Sequence, residues 1–122
     1  MREDRSLESF ETGRTGEVSR FLIEKMYLNL TENTLPGIAN ENGWVVTEDH
    51  CFHRIILDNV LGNVWYEELE RNGFKPAYQQ LGRENLLEAI HLSVKIIMEG
   101  DSEVEKLNER SLGYREKKNN RL

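Results

Sequence analysis

Cysteine, proline and aromatic residues are all scarce in this chain: one Cys, two Pro and 8% Phe, Trp and Tyr among 122 residues. A single cysteine rules out an internal disulfide framework and suits a reducing compartment. Also missing is any apolar run near the roughly 18 to 20 residues that span a bilayer. The opening MREDRSLESFETGRT has no apolar stretch of the secretory kind. No membrane association is expected, and a cytoplasmic location is. Positive charge is in deficit too, with 16 Lys and Arg against 22 Asp and Glu and a formal net charge of -6. Broad nucleic-acid binding, which needs clustered cations, is disfavoured. One segment departs from that balance: residues 110 to 122 carry Arg110, Arg115, Lys117, Lys118 and Arg121 against Glu116 alone.

What the chain does have is helical periodicity, which predicts an all-α compact bundle of about five helices. Residues 1–16 read as a flexible polar leader, 17–113 as one helical domain and 114–122 as a basic, frayed tail. Val18, Leu22, Met26 and Leu30 recur every fourth residue, so a first helix, capped by Thr15, is expected to end near Thr31. The turn formers Asn33, Leu35-Pro36-Gly37 and Asn40-Glu41-Asn42-Gly43 then predict a break over 32–43. Trp44-Val45-Val46 offers at most one short extended segment or hairpin.

Thr47 is the expected N-cap of a central helix over about His50 to Leu61, and Gly62 is its stop. A third helical segment is expected over Val64 to Arg71, with Asn72-Gly73 as its end and Pro76 opening a turn or an extended link. The clearest amphipathic helix runs from Arg83 to Glu99, with Leu86, Leu87, Ile90, Val94, Ile97 and Met98 on one face and His91 at its edge. Gly100 closes it. Ser102-Glu103-Val104-Glu105 then forms a capping-box pattern for a last helix, which Gly113 limits.

On a wheel of about 100° per residue, His50, Arg54 and Asp58 share a polar stripe on the central helix, while Phe52, Ile55, Ile56 and Val60 fill the other side. Arg54 and Asp58, four apart, can pair. Asn59 falls inside the apolar arc, so its amide must either tie down a neighbouring backbone or line a polar cavity. Cys51 sits in the first turn, where the helix dipole and Arg54 favour a thiolate, making it the weak nucleophile candidate, with His50, His53 and His91 as possible bases. Asp49, His50, Cys51 and His53 are all metal-ligand types, but Cys51 points about 100° away from His50. No second pair completes a tetrahedron, so no metal site is expected. Trp44, Trp65, Tyr66, Phe74 and Tyr78 cluster in sequence around turns and are expected to seal the core, with Trp65 able to line a groove. Catalytic candidates are thus Cys51, Arg54 and Asp58, and binding candidates Asn59, Trp65, Asn108 and Arg110.

Three stretches, Cys51-Phe52-His53-Arg54-Ile55-Ile56-Leu57-Asp58-Asn59 leading to Trp65, Pro76-Ala77-Tyr78, and Leu107-Asn108-Glu109-Arg110-Ser111-Leu112, carry a resemblance. Over roughly residues 44 to 116 the chain resembles a group of small prokaryotic proteins that has no established activity to carry over. Some members bear an N-acetyltransferase label, which implies an acetyl-CoA loop of the form Q/R-x-x-G-x-G/A between a strand and a helix. Gln79-Gln80-Leu81-Gly82-Arg83-Glu84 matches its first four positions. Glu84 stands where a small residue lets backbone amides approach a pyrophosphate, and Phe74 to Tyr78 is no apolar strand. No cofactor is expected.

The leading functional expectation is a protein-interaction or self-association module. The alternative is a small-ligand binder or thiol-dependent enzyme with its site on the 50–61 helix, joined by Asn108, Arg110 or Ser111 across a cleft. A second alternative is nucleic-acid contact through the basic tail.

Overall fold

Ser19 opens the first helix of the described residues: its hydroxyl accepts the Leu22 amide at 3.2 Å, and helix α1 follows over Arg20–Asn29. The computed structural model describes residues 18–120. The expected leader and the Thr15 cap lie outside the described residues. Ile23 and Tyr27 form the inner face of α1.

The helix does not end near Thr31. It widens into a π-helical turn, Leu30–Thr34, and continues as α2, Leu35–Asn42, before Gly43 stops it in the left-handed region at φ 69°. The break expected over 32–43 is therefore helical, for two physical reasons. Pro36 stands in the first turn of α2, where a missing N–H costs little. The asparagines bond along the helix instead of turning it: Asn40 Nδ2 donates to Pro36 O at 2.9 Å and Asn42 Nδ2 to Ile38 O at 2.8 Å. Trp44 to Glu48 then crosses without regular structure.

Helix α3, Asp49–Leu61, takes Glu48 rather than Thr47 as its N-cap, with no side-chain capping bond, and Gly62 ends it at φ 68°. It lies at the centre of the fold. Phe52, Ile55, Ile56 and Leu57 are buried, and neighbours pack on it from the π-turn, α6 and α7. The third segment is one turn only, α4, Trp65–Glu68, rather than Val64 to Arg71. The loop beyond it is held by Gln80, whose side chain accepts from the Glu70 amide and donates to the carbonyls of Glu70 and Lys75. Another single turn, α5, Ala77–Gln80, precedes α6, Arg83–Glu99.

On α6 the buried face is Leu86, Ala89, Ile90, Ser93 and Ile96; Leu87, His91, Val94 and Met98 are exposed. The apolar face expected there is thus split, because the core takes only one side of it. Gly100, at φ 81°, reverses the chain into α7, Asp101–Asn120. That helix starts ahead of Ser102, whose hydroxyl reaches Glu99 O at 3.5 Å. It also passes through Gly113, so residues 114–120 are helical rather than a frayed tail. Arg115 and Lys118 account for this by pairing with Asp58 and Glu67 at 3.0 and 3.3 Å. The described residues form an all-α bundle with no strand. Among them no helix is long and apolar enough to cross a membrane.

Candidate functional site

Asp58 is fully buried rather than lying on an exposed stripe, because α7 packs against that side of α3. Each of its acceptor positions is used. Oδ1 accepts the Trp65 amide at 2.9 Å; Oδ2 accepts the Ser111 hydroxyl at 2.7 Å and Arg115 Nε at 3.0 Å. Arg54 does not pair with Asp58 directly. Its Nη1 donates to Ser111 Oγ at 2.7 Å and its Nη2 to Asn108 Oδ1 at 2.9 Å. Ser111 is therefore the relay between the two, accepting from one and donating to the other. A buried carboxylate with this many donors is compensated, and removing any one leaves charge or dipole uncovered.

Asn59 is half-buried and donates to Ile55 O at 2.8 Å and Leu107 O at 2.9 Å. Of the two roles open to it, it has the tie: its amide joins the backbone of α3 to that of α7. Arg110 is exposed and stands apart from Asn108 and Ser111, its neighbours in sequence. Cys51 is half-buried and makes no hydrogen bond to an imidazole among the described residues. His50 leans toward Glu48 and Asp49, at 3.6 and 3.9 Å. Among those residues no three His, Cys, Asp or Glu side chains are grouped to hold a metal ion. Phe74 is fully exposed, so it does not seal the core as expected, and His91, at the edge of the α6 face, is exposed.

On the other side of Arg54 a cavity of about 300 Å³ opens, lined by Glu32, His50, His53, Arg54, Leu57, Trp65, Pro76, Ala77 and Tyr78. Three parts of the chain meet there. The π-turn brings Glu32; α3 brings His53, Arg54 and Leu57 at helical spacing; and the segments at 65 and 76–78 supply an apolar wall. That wall is held by Arg20, which donates to the carbonyls of Leu81, Tyr78 and Gln79 at 2.9 to 3.3 Å while pairing with Glu24 at 2.7 Å.

A hydrogen-bonded chain runs beside this cavity. Tyr27 Oη lies 2.8 Å from His53 Nδ1, and His53 Nε2 lies 3.3 Å from Glu32 Oε2. A carboxylate only accepts, so Nε2 carries a proton, and with a neutral ring Nδ1 then accepts from the phenol. Burial, and after it the charge of Glu32, pushes the Tyr27 phenol well above the ordinary tyrosine range, so it stays neutral and available as a donor. The Tyr27 ring also lies against Tyr78, with centroids 5.9 Å apart.

Of the residues singled out from sequence, His50, His53, Arg54, Trp65 and Tyr78 line the cavity, Asp58, Asn108 and Ser111 form the network behind Arg54, and Asn59 ties the two backbones beside it. Glu32 and Tyr27 were not singled out, since Glu32 reads as part of a turn and Tyr27 as one more apolar position. The signal that could have found them is the polar pair spaced five apart along one helix, which a π-turn brings to one side. Comparison with protein-family models, with curated proteins and with solved structures returned no match to this chain.

Proposed function

We propose that this protein binds a small molecule in the cavity between the π-turn, α3 and the Trp65 and Tyr78 wall. The observation that carries the reading is convergence: Glu32, His53 and Arg54 present polar groups at the edge of a concave, mostly apolar space. Small-ligand sites have that make-up, a hydrophobic and aromatic lining with a few placed polar groups. Its position beside a π-turn supports it further, because such turns cluster at functional sites. The test is a thermal-shift and ligand-observed NMR screen of small aromatic and aliphatic compounds. The wild type is run against Ala77→Phe, which fills the cavity from its wall. Hits that bind the wild type and lose binding in a folded Ala77→Phe protein support the site; hits that bind both equally well would place it elsewhere.

A second reading, self-association or a protein partner, has its own observation. Leu87, His91, Val94 and Met98 lie exposed on α6 at spacings of four, three and four, the pattern of a helix-pairing seam. Sedimentation of the wild type and of Val94→Glu tests it. A dimer lost in the variant supports the seam, and a wild type that stays monomeric at high concentration removes it.

A further inference from the structure

We propose that the ligand is a flat, largely apolar acid of one or two rings, with its anionic group bound by Arg54. The proposal rests on the cavity being the ligand site, and it follows from where the charges around Arg54 are spent.

Asp58, the nearest buried carboxylate in sequence, is matched by Arg115 at 3.0 Å and receives the Ser111 hydroxyl. The groups that touch the Arg54 guanidinium are instead two neutral oxygens, Ser111 Oγ and Asn108 Oδ1. Arg54 enters no ion pair among the described residues. Those two bonds fix the planar group from the α7 side, and an arginine has N–H donors beyond them. Its charge is thus oriented without being neutralised, on the edge of a cavity it lines. Preorganised guanidinium of this kind favours carboxylate, which it binds through two parallel bonds.

The other polar groups of the cavity do not compete for that role. Glu32 faces His53 Nε2 at 3.3 Å and is 44% exposed, so its carboxylate is turned to the imidazole and to solvent, and as an acceptor it offers no donor to an anion. His50 is 74% exposed and turned to Glu48 and Asp49. The rest of the lining is Leu57, Trp65, Pro76, Ala77 and Tyr78, which offers apolar surface and ring faces. A volume of about 300 Å³ lies at the small end of ligand sites, which limits the apolar body to a ring or a fused pair.

Calorimetric titration of the full chain with a panel of one-ring and two-ring aromatic carboxylates, their carboxamides and their aminomethyl counterparts tests this. The acids should bind about tenfold or more tightly than the matching amides, as charge-assisted bonds outweigh neutral ones, and the amines should not bind. Arg54→Lys keeps the charge but loses the planar fork, and should shrink the preference for acid over amide; Ala77→Phe should abolish binding of every member. Acids and amides of equal affinity, both lost in Ala77→Phe, would overturn the anionic assignment and leave the cavity as the site. Failure of every member to bind would overturn both.

Discussion

Ser111 Oγ stands 2.7 Å from Arg54 Nη1 and 2.7 Å from Asp58 Oδ2, accepting from the first and donating to the second. One hydroxyl thus holds a cation and an anion apart while connecting them, and both are positioned by it. Ser111→Ala removes an acceptor from Arg54 and a donor from buried Asp58 in one step. It should destabilise the protein by about 1–3 kcal/mol, measured by urea denaturation. Asp58→Ala should cost more, about 3–5 kcal/mol, because it strands Arg115 and frees the Trp65 amide. A Ser111→Ala protein as stable as the wild type would show that the relay contributes nothing to folding.

Alkaline pH should act through Tyr27. Its folded pKa lies above the unfolded value of about 10, so in that range the native chain keeps a proton that the unfolded chain releases. The sign follows: the contribution to stability is fully present below the unfolded value and is lost as pH rises from there toward the folded one. Denaturation series from about pH 8 to pH 11 should show falling stability in the wild type and a shallower fall in Tyr27→Phe. Parallel curves would assign the alkaline loss to other groups.

Two helical glycines can be replaced with profit. Gly37 in α2 and Gly113 in α7 are exposed, and a Cβ at either meets nothing within 4 Å. Gly113→Ala and Gly37→Ala should each stabilise by about 0.5–1 kcal/mol through the unfolded chain. Gly62→Ala, at φ 68°, should destabilise by about 1–2 kcal/mol despite equally open space. Thermal denaturation of the three variants distinguishes backbone preference from packing.

Cys51 should be dispensable for binding. It is half-buried and does not line the cavity. Cys51→Ser should leave the affinity for any compound bound in the cavity unchanged within about twofold, since no contact to the ligand is altered. A large loss in that variant, with the fold intact by circular dichroism, would return the thiol to the site.

Much of the architecture is legible in the sequence, because wide apolar periodicity specifies helices wherever they pack. The Arg83 to Glu99 limits and the stops at Gly62 and Gly100 are read directly from it. Residues 32–43 are not, since Pro, Gly and Asn mark turns in general, and only the hydrogen-bond partners here convert them to helix. The length of α7 is hidden for a related reason: Gly113 weakens it locally, while its support comes from Asp58 and Glu67, far away in sequence. The candidate site is half legible. Arg54, Asp58 and Asn59 stand out on the wheel of one helix, but a wheel does not say that α7 will cover Asp58, or that a π-turn will bring Glu32 to His53.

The pairing of Asp58 with Arg115 also imposes an order of events. Synthesis delivers the carboxylate of α3 long before the guanidinium of α7, and Ser111 arrives with the same late helix. Until then the centre of the bundle holds an anion with no counterion, and its desolvation is opposed by several kcal/mol or so of uncompensated charge. Helices α1 to α6 can form and collapse meanwhile, but the face of α3 that carries Asp58 must stay wet. Docking of α7 is thus what dries the Asp58 side of α3, whereas the apolar faces of α1, α2, α3 and α6 can close against one another without it.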